Sequence, residues 1–136
     1  MSVTLTEKDK NTLRIAAYGA VHLVTIAAST GSRPGRTAGE GSLALYSATG
    51  LVGHVLTEYP KDLDHSGASV AEVADRVLPS LTTAMSLLKE LDAAEADNFR
   101  STVLVAIETA TRSHKKAPSP VLADITRKIT EALDAA

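Results

Sequence analysis

The amino-acid sequence predicts an all-α, single-domain bundle of about five helices, and three features of its 136 residues support that fold class. Apolar residues recur at spacings of three and four along several stretches, which is typical of a helix with one buried face. Ser, Thr or Asp precedes these stretches, with an acidic residue three positions later, as at a capped helix start. Aromatic residues make up only 3%, so small aliphatic side chains must form the core, which favours closely packed helices. A chain of this length forms one core, so we expect one domain over 1–136.

The first predicted helix begins after Thr6, which forms a capping pair with Asp9, and runs to about Ser29. Residues 15–28 are apolar on nearly every side of this helix. We therefore expect a hydrophobic helix 1 at the centre of the bundle, covered by its neighbours. The apolar run is shorter than the roughly 20 residues that cross a bilayer. A glycine-rich loop at 30–41 follows.

The second predicted helix spans 42–59, ends before Pro60 and forms a hairpin with the first. The third begins after Ser69, whose capping box closes with Glu72. Its apolar residues form one stripe that we expect to be buried, made of Val70, Val73, Val77, Leu81, Ala84 or Met85, Leu88 and Leu91. Pro79 lies within this helix, where it lacks a backbone donor and crowds the preceding turn, so it predicts a kink or a short break.

The fourth predicted helix starts at another capping box, formed by Asp92 and Glu95, and ends near His114. Its inward residues are expected to be Ala96, Phe99, Val103, Ala106, Ile107 and Ala110. Ser119 as N-cap and Pro120 at the first helical position start the fifth helix. Its expected core residues are Val121, Leu122, Ile125, Ile129, Ala132 and Leu133.

The composition argues against several classes of function. The chain has no cysteine, which excludes disulfides and thiolate chemistry and favours a reducing compartment. Its first residues lack the basic-then-apolar order of a secretory signal, so we expect a cytoplasmic protein. A formal net charge of −2 gives no positive surface for phosphates, so nucleic acid is not an expected partner. A membrane is not expected either, because the apolar run of helix 1 is too short to cross one.

Two histidines in apolar surroundings define the candidate ligand-binding site. His22 on helix 1 and His54 on helix 2 can approach one site if the two helices are antiparallel neighbours. Tyr18 lies one turn before His22, and Tyr46, His54 and Glu58 recur at multiples of four along helix 2. The alternative is that each histidine simply bonds a neighbouring helix or faces solvent. We predict no metal and no cofactor, because the paired Glu-x-x-His motifs of di-iron bundles are absent from the sequence.

Arg33 and Arg36 in the glycine-rich loop form a candidate anion-binding site. Flexible glycines let backbone amides approach a phosphate or carboxylate beside the start of the next helix. The loop lacks the spacing of a phosphate-binding P-loop, and a plain surface linker is the commoner explanation of such a composition.

Three glycines, Gly19, Gly50 and Gly53, fall inside predicted helices. Each costs about 1 kcal/mol there relative to alanine, so a compensating contact is expected. We interpret them as a close approach between helices 1 and 2.

Two functions from different classes follow from these features. The first is a non-catalytic interaction module that forms a homodimer through helix 1 or 2, because two apolar and three amphipathic helices carry much hydrophobic surface. The second is a binder of a small, largely apolar ligand, or less readily a metal, between helices 1 and 2. An enzyme ranks third, since no motif pairs a nucleophile with a base.

Overall fold

The computed structural model describes residues 5–28, 45, 48–58, 60, 69–112 and 120–136. They form five helices, which are α1 (Glu7–Ala28), α2 (Gly50–Leu56), α3 (Val70–Leu91), α4 (Ala93–Arg112) and α5 (Pro120–Asp134). Leu45 is helical as well. No strand occurs in these ranges. The predicted all-α class and the number of helices are confirmed.

Helix α1 is the centre of the bundle, as its apolar sequence predicts. It contacts each of the other four helices. Between positions 13 and 27 every residue is buried except Ile15, His22 and Ile26, which are half-buried. An apolar stretch on all sides of one helix is therefore explained by neighbours on all sides.

Gly19 marks a close approach, but its neighbour lies on α3 rather than on the second helix. A β-carbon at this position would lie 2.6 Å from Cγ2 of Val77 and 3.3 Å from its Cγ1. Both positions are buried. The prediction of tight packing was correct, and the helix assigned to it was wrong.

The predicted N-caps of α1 and α3 are confirmed, and the reciprocal pair of capping bonds forms at α1. The Thr6 hydroxyl accepts from the Asp9 amide at 3.1 Å while the Asp9 carboxylate accepts from the Thr6 amide at 3.1 Å. Ser69 accepts from the Glu72 amide at 3.2 Å. Helix α3 continues through Pro79 without a break, so a break is excluded and a kink stays a prediction.

The second predicted helix, over 42–59, is interrupted in the structure, because Leu45 and Gly50–Leu56 are helical but the residues just before Gly50 are not. Ala48 and Thr49 are not helical, and α2 begins only at Gly50. Thr49 is extended, with φ −115° and ψ 174°, and Gly50 has φ +73°, a left-handed conformation that glycine tolerates best. Glu58 lies beyond the end of α2, so His54 and Glu58 do not share one continuous helix face. Gly50 is a helix-start residue, and the interior role predicted for it was wrong.

The core stripes of the last two helices agree with prediction at all but one large side chain. All six inward residues predicted on α4 are buried, and Phe99 is among the largest side chains that are fully enclosed. On α5, Leu122, Ile125, Ile129 and Leu133 form the buried stripe. Val121 was predicted to be inward and is instead 52% exposed, because it lies beside this stripe rather than on it.

Candidate functional site

A pocket of about 550 Å³ opens where the start of α1, the helix α2 and the junction of α3 and α4 meet. Three leucines supply its apolar wall, namely Leu5, Leu51 and Leu91. Its polar lining residues are Lys10, His54, Asp92 and Glu95. The pocket therefore combines an apolar surface with groups of both charges at a single opening.

The N-terminal end of α2, which forms one wall, is held by two side chains of α4. Glu95 Oε1 accepts a hydrogen bond from the Val52 amide at 3.0 Å. Asn98 donates from Nδ2 to the Thr49 carbonyl at 2.8 Å. Thr49 makes no side-chain capping bond of its own, so Glu95 satisfies a helix-start amide from 43 residues away.

The C-terminal end of α2 is held by two side chains of α1. Arg14 donates from Nε to the Val55 carbonyl at 2.9 Å, and the Tyr18 hydroxyl donates to the Leu56 carbonyl at 2.6 Å. Both side chains are buried, with Arg14 6% exposed. They satisfy terminal carbonyls that have no partner within the helix.

The charge of Arg14 is balanced by Glu58. Their side chains form an ion pair of 3.2 Å between Nη2 and Oε2, in which the arginine is 7% exposed and the glutamate 71% exposed. The exposed Glu58 carboxylate thus balances the charge of the buried Arg14 guanidinium. Because Arg14 binds the Val55 carbonyl, Glu58 indirectly supports the end of α2.

The predicted ligand-binding residues are distributed over different surroundings. His54 is exposed and lines the pocket. Tyr18 is buried against the Leu56 carbonyl, His22 is half-buried on α1, and Glu58 pairs with Arg14. Of the described members of that set, only His54 is a lining residue of this pocket. Tyr46, Arg33 and Arg36 lie outside the described residues.

The capping box predicted at Asp92 and Glu95 forms only in part. Asp92 Oδ1 accepts from the Ala94 amide at 3.0 Å, as an N-cap should. The Glu95 carboxylate does not return to the Asp92 amide and instead caps α2 through Val52. The second half of the predicted box was therefore wrong, and the same carboxylate contributes to the pocket wall.

Sequence reasoning missed Arg14, Lys10, Leu51 and the pocket role of Glu95. Arg14 carried a signal that could have found it, because it lies one turn before Tyr18 on a face that is otherwise buried. A cation on such a face requires a partner. The other residues gave no such signal, because their proximity depends on how three separate segments pack.

Among the residues that the structure describes, the carboxyl groups with a lowered pKa lie on α5. A hydrogen bond from Arg100 lowers the pKa of Asp134, and hydrogen bonds from Lys128 and then Arg127 lower the pKa of Asp124. All these groups are exposed or half-buried and belong to ion pairs between or within helices. Such ion pairs are typical of a protein surface, and none of these residues lines the pocket.

A second, smaller groove of about 420 Å³ lies between α4 and α5. Its lining residues are Leu104, Ile107, Glu108, Thr111 and Thr126. Within the described ranges no cluster of three His, Asp or Glu side chains could hold a metal ion. The first pocket is therefore the better candidate site, because it has both apolar walls and groups of both charges.

Comparison with known proteins gives no family to which the chain can be assigned. No family model, no curated protein and no solved structure matches it. Among the described helices, none has both the length and the apolar character needed to cross a bilayer.

Proposed function

We propose that this chain is a binding domain and that its pocket holds a small, largely apolar ligand. The observation that carries the proposal is the open pocket of about 550 Å³ beside Leu5, Leu51 and Leu91. Pockets for small ligands commonly measure roughly 300–1,000 Å³ and are apolar with a few polar groups that orient the ligand. His54 is the polar group that belongs to both the predicted site and the pocket.

The side chains that hold α2 in place indicate that this wall of the pocket is formed before a ligand binds. Helix α2 has only seven residues, and helices this short are unstable alone in water. Side chains from α1 and α4 satisfy its two ends, and Val52, Val55 and Leu56 bury its inner face. A wall fixed in this way does not have to be ordered by the ligand, which favours affinity.

A titration of isotope-labelled protein with 1-hexanol, followed by amide NMR shifts, tests the proposal. We expect saturable shifts at Leu51, His54 and Glu95. The Leu51→Glu variant should lose them, because a carboxylate then occupies the apolar wall. Leu104→Glu is the matched control, since Leu104 is also a half-buried leucine but lines the second groove. Absence of saturable shifts in the wild-type protein would reject a ligand-binding pocket.

We infer self-association as a second candidate function. It is supported by Val105 and Val121, which are 54% and 52% exposed and are the large apolar side chains most open to solvent among the described residues. A homodimer through helix 1 or 2 stays a prediction. Along 13–27 of α1 the apolar side chains with partial exposure are Ile15 and Ile26, which are both half-buried.

Sedimentation equilibrium tests self-association directly. The wild-type chain should sediment as a dimer, and Val105→Lys should shift it toward monomer if that valine lies in the contact. Ser86→Lys is the control, because it adds the same charge at an exposed polar position of α3. A wild-type monomer at high micromolar concentration would reject the homodimer.

We also propose a cytoplasmic location and a partner other than nucleic acid. A cytoplasmic location is supported by the absence of cysteine in the sequence. The net charge of −2 supports a partner other than nucleic acid.

A further inference from the structure

We propose that the ligand of this pocket carries a cationic amine head on an apolar body. The inference rests on the proposed function, because it specifies the chemistry of a ligand that the pocket must first bind. Its basis is the arrangement of charges around the three leucines, which distinguishes an amine from a neutral or an acidic head group.

Two carboxylates line the pocket beside the leucines. Asp92 accepts from the Ala94 amide and Glu95 from the Val52 amide, each through one oxygen atom. Within the described part of the chain neither carboxylate forms an ion pair with a side-chain cation. Backbone amides orient the two groups without neutralising their charge, so both carboxylates present negative charge to the pocket.

The lining cation is already paired. The Lys10 ammonium lies 3.3 Å from Glu7 Oε1, which adds a third acidic group near the opening. An acidic ligand would therefore have to compete with Glu7 for Lys10 while facing Asp92 and Glu95. The net charge of these four side chains is negative, which favours an amine over a carboxylate.

The expected preference is modest, because the pocket is open to water. Ion pairs in such surroundings are weak and screened by salt, so we expect hexylamine to bind about two- to fivefold more tightly than 1-hexanol. Hexanoate, which has the same apolar body and the opposite charge, should bind more weakly than either.

The test is a titration of the full chain with hexylamine, 1-hexanol and hexanoate at one low ionic strength, followed by the amide shifts of Leu51 and His54. The double variant Asp92→Asn/Glu95→Gln removes both charges but keeps an oxygen atom to accept each capping bond. It should remove the preference for the amine while retaining 1-hexanol binding. Asp75→Asn/Glu90→Gln is the control, because it makes the same change of charge at exposed positions of α3 that do not line the pocket.

The outcomes separate the two proposals. Equal binding of hexylamine and 1-hexanol, or an amine preference that persists in the double variant, would overturn the inference while the ligand-binding proposal stands. If none of the three compounds binds saturably, both are rejected. A preference that falls in the double variant and is unchanged in the control supports the inference.

Discussion

The contact between Gly19 on α1 and Val77 on α3 gives a quantitative test of the packing at the centre of the bundle. In Gly19→Ala the added β-carbon would lie 2.6 Å from Val77 Cγ2. Val77 is fully buried, and a β-branched side chain in a helix has essentially one rotamer, so it cannot turn away easily. Overpacking of this kind costs about 1–3 kcal/mol. The higher helix propensity of alanine offsets about 1 kcal/mol of that cost.

The single substitution is thus expected to lower the free energy of unfolding by roughly 0–2 kcal/mol, a difference between two similar terms. A double-mutant cycle with Val77→Ala is more decisive. In the wild-type background Val77→Ala removes two buried methyl groups, each worth about 0.8 kcal/mol, and leaves a cavity. In the Gly19→Ala background the same change relieves the overlap, and the new methyl group fills part of the cavity. We expect a favourable coupling of about 1–2 kcal/mol.

Urea unfolding followed by circular dichroism, with the four proteins measured under one condition, gives the coupling. Val103→Ala is the matched control for Val77→Ala, because Val103 is also fully buried but is not among the nearest neighbours of position 19. The reasoning is refuted if Gly19→Ala stabilises the protein by the whole propensity difference and shows no coupling to Val77.

Three further predictions concern polar contacts. Arg14→Leu should cost about 1–3 kcal/mol of unfolding free energy in urea titrations, because it leaves a buried carbonyl without a donor, whereas Glu58→Gln at the exposed end of that ion pair should cost under about 1 kcal/mol. Similar losses for both would contradict this. Ser69→Ala should cost about 1 kcal/mol through the lost N-cap, and Ser69→Asp should restore it; equal stability of all three proteins would exclude a capping role. The Arg100 hydrogen bond lowers the folded-state pKa of Asp134, so its contribution is complete above the ordinary aspartate pKa of about 4 and is lost as pH falls below it. The wild-type protein should therefore lose more stability than Asp134→Asn between about pH 5 and pH 2, and identical pH profiles would contradict the assignment.

The features that the sequence predicted correctly are those fixed by neighbours in the chain. The caps at Thr6 and Ser69 join residues three positions apart, and the stripe of α3 depends only on helical periodicity. The central position of α1 also follows from local composition, because a helix that is apolar all round must be enclosed.

The features that it did not predict depend on distant contacts. The apolar periodicity predicts one helix over 42–59. In the structure Ala48 and Thr49 are not helical, and Gly50 adopts a left-handed backbone conformation beside Glu95. A β-carbon on Gly50 would lie 2.9 Å from Glu95 Oε2. No pattern within the second helix could reveal a partner that lies so far along the chain.

Helix α2 makes the pocket sensitive to the rest of the bundle. Leu51 and His54 line the pocket, while the bonds that hold α2 come from Arg14 and Tyr18 at one end and from Glu95 at the other. A ligand that contacts both Leu51 and Leu91 can do so only while α2 is docked, that is, packed against α1 and α4. Its apparent affinity is therefore multiplied by the docked fraction of the protein. Weakening the Arg14 contact, which lies outside the pocket, should lower binding as well as stability, whereas Leu51→Glu should abolish binding directly. Measuring binding for both variants separates a residue that forms the wall from one that holds it in place.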